Sequence, residues 1–188
     1  MSEESVFFVG GVRSGKSGLA QRWAEARAPQ RLYVATALAN DATMIERIAR
    51  HRAGRGAGWQ CLEAPLDPVN SLQRWYSDTT RREVGVVLLD CVSLWIANML
   101  GRSMREGDIL ERVDSLAALA AAPKLPFAVV SLEAGMGMVP MSALGRDYQD
   151  MLGMTNQRLA RACDTAILVS CGLPLLLKGK LPEELCSC

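Results

Sequence analysis

The run Gly10-Gly11-Val12-Arg13-Ser14-Gly15-Lys16-Ser17 constrains this chain more than any other, because it fits the pattern Gly-x4-Gly-Lys-Ser and its flanks leave it one place in a fold. Ahead of it lies the apolar segment 5–9, which reads as a buried strand; behind it residues 16–28 read as a helix stopped by Pro29. A strand that turns through glycines into a helix aims successive backbone N–H groups and the positive helix end at one point, and that point suits an anion. Glycine is required where a Cβ would obstruct the backbone's approach to a phosphate. Lys16 is placed to reach the β- and γ-phosphate oxygens of a nucleoside triphosphate, and the Ser17 hydroxyl to ligate Mg²⁺. Without its flanks the pattern would also suit an ordinary glycine-rich strand-to-helix turn.

A length of 188 residues, of which 49% are hydrophobic, fits one domain with a sizeable core. Lys and Arg number 21 against 20 Asp and Glu, a formal net charge of +1, so no global field attracts nucleic acid or an anionic membrane. The start, Met1-Ser2-Glu3-Glu4, lacks the basic and apolar regions of a secretory signal, and no run approaches about 18 consecutive apolar residues. A cytoplasmic protein without a membrane anchor is expected. The six cysteines (Cys61, Cys91, Cys163, Cys171, Cys186 and Cys188) show no paired metal-ligand spacing, and one histidine cannot complete a Cys/His zinc set. They are expected to be buried reduced thiols.

Apolar runs at 6–9, 32–36, 60–63, 84–90, 127–132 and 166–171 alternate with helical patterns at 16–28, 41–53, 69–81, 93–100, 107–121 and 143–163. Strands apolar on both faces, separated by helices, predict an α/β fold of the P-loop class, with a mostly parallel sheet flanked by helices. Right-handed crossovers then put the loops that follow the strands along one edge, where ligands bind. The run Val84-Gly85-Val86-Val87-Leu88-Leu89-Asp90 delivers a carboxylate at that edge. Asp90 is read as a Mg²⁺ ligand opposite Ser17; the alternative is an Asp that caps the next helix.

His51 is the only histidine. If the helix begun at Asp41 persists past Gly54, Arg47, His51 and Arg55 share one face, with Met44, Ile45 and Ile48 turned to the core. Like-charge repulsion from two guanidinium groups would favour the neutral imidazole, leaving a ring nitrogen able to attack. The residues alone equally suit a solvated basic helix face.

The phosphate loop is followed by Tyr33-Val34-Ala35-Thr36-Ala37, then by Asp41-x-x-Met44-x-x-Arg47-Ile48-x-x-His51-x-x-x-Arg55-x-x-x-Trp59-x-x-x-Glu63. Leu89-Asp90-Cys91-Val92-Ser93-Leu94-Trp95-x-x-Asn98, Gly135-Met136-Gly137-x-Val139-Pro140, Ala143-Leu144-Gly145-Arg146, Asn156-Gln157-Arg158-Leu159-Ala160 and Gly172-Leu173-Pro174-Leu175 come later. In order and spacing this set resembles the bifunctional adenosylcobinamide kinase / adenosylcobinamide-phosphate guanylyltransferase family of cobalamin synthesis. The resemblance implies a RecA-like sheet, a homotrimer, and GTP and ATP as substrates with Mg²⁺. It implies a corrinoid as the acceptor and His51 as the group that attacks the α-phosphate of GTP, giving a guanylyl-histidine. Nucleotide contacts are implied for Gly10, Gly11, Val12, Arg13, Ser14, Gly15, Lys16 and Ser17, for Ala35, Thr36 and Ala37, for Arg52, Ala53, Gly54 and Arg55, and for Glu63 and Asp90. The chain departs from the family pattern at Thr43, Gly56, Leu132 and Leu176, where an acidic residue, a proline, an asparagine and a basic residue are expected. A P-loop kinase for another small metabolite and a RecA-like nucleotide switch are the competing readings of the loop.

Overall fold

In chain order the elements are β1 (Ser5–Gly10), α1 (Lys16–Arg27), β2 (Arg31–Ala35), α2 (Ala42–Ala53), β3 (Trp59–Glu63), α3 (Pro68–Ser77) and β4 (Val86–Asp90). They continue with α4 (Val92–Leu100), α5 (Glu106–Ala121), β5 (Phe127–Leu132), α6 (Ala143–Ala162), β6 (Thr165–Ser170), β7 (Leu173–Lys178) and a 3-10 turn at Glu183–Leu185. These come from a computed structural model that describes residues 4–80 and 83–186.

β1 buries every one of its side chains, which requires cover on both faces and strands on both edges. The sheet supplies this: its order is β3-β2-β4-β5-β1-β6-β7, with β1 between β5 and β6. All pairs are parallel except β6 with β7. Alternate residues serve opposite layers, as the period of a strand dictates. Phe7, Val9, Val87, Leu89, Phe127 and Val129 join the core formed with α3, α4, α5 and α6, whereas Val6, Phe8, Val86, Leu88, Ala128 and Val130 pack under α1. The expected strands and helices are present, with ends moved by one or two residues at most positions.

Four expectations need correction. The helix read over 69–81 closes at Ser77, with Asp78 as its C-cap, and Arg81 lies outside the described residues. The basic face of α2 does not extend through Arg55, because the helix ends at Gly54. Its apolar residues do not reach the core: Ile45 is exposed, and Met44 and Ile48 are half-buried beside a cavity. Buried thiols describe only Cys163 among the described cysteines; Cys61, Cys171 and Cys186 are exposed, Cys91 is half-buried, all are free, and Cys188 lies outside the described residues.

One strand was not read from the sequence at all. Cys171 and Gly172 have φ of 53° and 81°, the two left-handed residues of a tight hairpin turn. The turn folds β7 back along β6 as an edge strand. Pro174 is tolerated there because an edge strand has no second partner to receive its missing N–H.

The α1 layer rests on Trp23, which is fully buried, edge-on to Phe8 at 6.5 Å between ring centroids and beneath the Arg27 guanidinium at 4.0 Å. Its indole N–H has no hydrogen-bond partner among the described residues. Trp23→Ala is expected to cost about 3–5 kcal/mol in chemical denaturation. Trp23→Phe is expected to cost less, since it keeps one aromatic ring against Phe8 and removes the unpaired donor, with the remaining loss coming from the smaller ring; a loss equal to that of Trp23→Ala would overturn this.

Candidate nucleotide site

The phosphate loop is fixed from behind by close contacts. Gly10 ends β1 where a Cβ would lie 2.3 Å from the Val169 carbonyl oxygen, so no larger residue fits. Gly15 takes φ 95° as the N-cap of α1 and faces the Cα of Gly172. The Gly172 N–H donates to Ser14 O at 2.8 Å, the Ser14 N–H to Gly11 O at 3.2 Å, and the Glu133 N–H to Gly10 O at 3.0 Å. The loop is thus tied to the β6–β7 turn and to the end of β5. Lys16 is largely buried, its ammonium donating to Gly11 O at 3.0 Å across the loop. The Ser14 hydroxyl is buried with no partner among the described residues.

One cavity of about 340 Å³ opens in front of the loop, at the C-terminal ends of the parallel strands. Of the residues read from sequence, Val12, Lys16, Ser17, Ala35, Ala37 and Asp90 line it. So do His51, Arg52, Arg55 and Glu63, which come from the end of α2, the turn after it and the end of β3. Gly10, Gly11, Arg13, Ser14 and Gly15 shape the loop without lining the cavity; Ala53 and Gly54 end α2 and do not line it either.

His51 is an exposed side chain in the last turn of α2. Asp41 starts that helix by accepting from the Met44 N–H at 2.8 Å, and Glu46 pairs with Arg50 one turn on at 2.8 Å. Arg52 reaches Glu63 at 3.5 Å, an exposed pair worth little by itself. Arg55 lies over Tyr33, its guanidinium carbon 3.6 Å from the ring centroid, and its Nη1 is buried with no partner among the described residues. The bracketing of the imidazole by two arginines is therefore not formed on the Arg55 side, and the Arg47 side chain lies outside the described set.

Asp90 is half-buried at the end of β4 and does not cap the next helix; Cys91 is that cap, after a cis Asp90–Cys91 peptide. The Tyr33 hydroxyl donates to Asp90 Oδ2 at 3.1 Å. Burial first, and the neighbouring carboxylate second, push the Tyr33 phenol well above its ordinary pKa while Arg55 opposes them, so the ring keeps its proton and stays a donor. β5 lies between β1 and β4, which sets Asp90 two strand spacings, about 10 Å, across from the loop-bearing strand. Ser17 and Asp90 offer oxygen donors to one space. Among the described residues no cluster of three or more His, Cys, Asp or Glu could hold a metal. That donor set fits Mg²⁺, which uses one or two protein oxygens and completes its shell with water and phosphate.

Thr36 is where sequence and structure differ most. Its resemblance-based role is a nucleotide contact, yet it is fully buried and outside the cavity lining. Its hydroxyl donates to Cys91 O at 2.7 Å and accepts from the Cys91 N–H at 2.9 Å. Asn98 on α4 donates to Thr36 O at 2.8 Å and to Pro65 O at 2.9 Å. The two side chains thus clamp the segments after β2, β3 and β4 together beside Asp90. Asn98, Tyr33, Ser93 and Tyr148 were not read as site residues, although the last three line the cavity. Tyr33 and Asn98 stood in the quoted motifs; a buried strand-end tyrosine and a polar residue on an apolar helix were the available signals. Leu132, where the family pattern has asparagine, lines the cavity too, its carbonyl accepting from Asn156 Nδ2 at 3.0 Å.

A mostly parallel sheet with a glycine loop after an interior strand and a carboxylate two strands away defines a P-loop nucleotide-binding protein of RecA-like fold. Solved structures of that fold match over almost the whole chain: a Pyrococcus horikoshii OT3 protein with TM-score 0.56 at 10% identity, covering 98% of this chain and 90% of that one. The RadB recombinase matches with TM-score 0.52 at 17% identity, covering 98% and 85%. The family model described as cobinamide kinase / cobinamide phosphate guanyltransferase matches residues 6–177, and the chain belongs to that family. It is 39% identical to the bifunctional adenosylcobalamin biosynthesis protein CobP of Pseudomonas aeruginosa, over 92% of this chain and 96% of that protein. It is 36% identical to the corresponding CobU of Salmonella typhimurium, over 92% and 99%. The chain is an enzyme of adenosylcobalamin biosynthesis, a bifunctional cobinamide kinase and cobinamide phosphate guanyltransferase.

Thr36→Val leaves the Cys91 N–H without its hydroxyl partner, while the Cys91 carbonyl keeps the Leu94 and Trp95 N–H groups, and is expected to cost about 1–3 kcal/mol of stability by chemical denaturation. Thr36→Ser keeps the hydroxyl and should recover most of it. A neutral Thr36→Val would mean that water or backbone rearrangement satisfies Cys91.

Proposed function

We propose that one cavity serves both reactions, with the choice of phosphorus set by which nucleophile is presented. The observation that carries this reading is that His51 opens onto the same cavity as Lys16, Ser17 and Asp90. In the kinase reaction the aminopropanol hydroxyl of adenosylcobinamide attacks the γ-phosphorus of ATP or GTP, its proton is lost to solvent, and the nucleoside diphosphate departs. In guanylyl transfer a neutral His51 ring nitrogen attacks the α-phosphorus of GTP. The bond to the bridging oxygen breaks, pyrophosphate leaves, and a phosphoramidate holds GMP. An oxygen of adenosylcobinamide phosphate then attacks that phosphorus, the P–N bond breaks, and the imidazole is restored. Splitting one difficult transfer into two easier ones is what a histidine nucleophile offers.

The chain's own groups bind and orient. The loop N–H groups and Lys16 hold the β- and γ-phosphates and neutralise charge on the group that leaves. Arg52, Arg55 and Glu63 surround the histidine end of the cavity, and the Ala35–Ala37 strand end forms its floor. Ser17 and Asp90 would hold Mg²⁺, which when bound supplies charge stabilisation to the phosphoryl oxygens. Tyr33 keeps Asp90 aimed into the cavity. The reading assigns a cytoplasmic enzyme that acts on small-molecule substrates; no described helix is long and apolar enough to cross a membrane. The exposed leucines of β7 on an unpaired sheet edge (Leu173, Leu175, Leu176 and Leu177) suit association between copies of the chain, here assigned as a homotrimer.

The separation of roles gives the test. His51→Ala incubated with α-labelled GTP is expected to lose covalent label and guanylyl transfer while keeping triphosphate binding and phosphorylation of adenosylcobinamide; full labelling of the variant would sink the histidine assignment. Lys16→Ala should depress both reactions by about a hundredfold or more.

A further inference from the structure

We propose that the segment between β5 and α6 is the platform that carries the apolar face of the corrinoid macrocycle while its hydroxyl or phosphate arm enters the cavity. This assignment rests on the function proposed above and deepens it. Met136, Met138, Val139, Met141 and Leu144 are 78%, 93%, 72%, 98% and 59% exposed, five large apolar side chains in nine consecutive residues. Contiguous apolar exposure of this kind marks a binding surface. Residues 134–145 carry no charged side chain.

The segment is held in shape at both ends. The Gly135 N–H donates to Glu133 Oε1 at 2.6 Å, and Gln149 Nε2 reaches back to Ala134 O at 2.7 Å. Arg146 Nη1 donates to Pro140 O at 3.1 Å and Met141 O at 2.9 Å, while Ser142 Oγ caps α6 by accepting from the Gly145 N–H at 3.1 Å. Polar side chains are thus spent on backbone groups at the two ends of the segment, and the apolar ones between them are exposed.

Position supplies the occupant. The segment leaves β5 directly after Leu132 and enters α6 ahead of Tyr148, and both of those residues line the cavity. A cavity of about 340 Å³ shared with a nucleoside triphosphate has no room for a corrin ring. The ring must therefore lie outside, against the rim from which its arm enters. A corrin presents methyl- and methylene-bearing faces with neutral amides around the edge. Methionine thioethers are flexible and polarizable and conform to such an irregular apolar face. β7 is the other exposed apolar stretch, but it runs antiparallel to its neighbour, away from the cavity edge.

The decisive experiment uses the full-length Met138→Ser/Met141→Ser enzyme, altered at its two most exposed methionines. The KM for adenosylcobinamide in the kinase reaction is expected to rise about tenfold or more, with the KM for the triphosphate and the sedimentation coefficient unchanged. Met138→Leu/Met141→Leu, which keeps the apolar area, should stay within about threefold of the unmodified enzyme. An unchanged corrinoid KM in the serine variant overturns the platform. So does a changed sedimentation coefficient, which would make the segment a contact between copies. An unmodified enzyme that fails to phosphorylate adenosylcobinamide refutes the function itself, a result distinct from either.

Discussion

The common direction of six strands places everything else in this molecule. Parallel pairing obliges the chain to return to the same end of the sheet after each strand, and the crossovers deliver every strand-to-helix connection to one edge. Gly10–Ser17 follows β1, Ala35–Ala37 follows β2, Glu63 ends β3, Asp90 ends β4 and Leu132 ends β5. None of these residues is close to its partners in sequence. The sheet, not local chain geometry, assembles them.

Around Asp90 the assembly is tightest. Tyr33 holds the carboxylate from β2, the Thr36 hydroxyl pins the residue after it, and Asn98 reaches from α4 to secure Thr36 and Pro65. Arg55 then lies over the face of the Tyr33 ring. One chain of contacts therefore runs from the Asp90 carboxylate to the turn just beyond His51. By contrast α2 puts no described side chain in either core. The histidine rides on the element least bound to the body of the protein, while the phosphate loop sits on the most deeply packed strand.

Much of this was readable beforehand where local signals and the global fold agree. Strand, glycine loop and helix announce themselves in eight consecutive residues, and the apolar run ending in Asp90 is equally plain. β7 was hidden because its edge position permits a proline and its leucines face solvent, so neither alternation nor burial marks it. The end of α2 turned on whether Gly54 continues the helix, which sequence alone leaves open. The burial of Thr36 behind the cavity was hidden for a different reason. A motif reports that a residue type recurs near a site, but whether its hydroxyl faces the ligand or holds a neighbouring peptide depends on strands far apart in the chain.

The way the phosphate loop is braced has a thermodynamic meaning. Backbone bonds from Gly172 and Glu133 and the close fit of Gly10 under Val169 fix the loop's dihedrals when the sheet forms. The conformational entropy of arranging N–H groups around a triphosphate is then lost during folding and not again at each binding event. A loop ordered in advance can hold its ligand through weak individual contacts and still release a spent pyrophosphate or diphosphate, because affinity is not needed to hold the loop together.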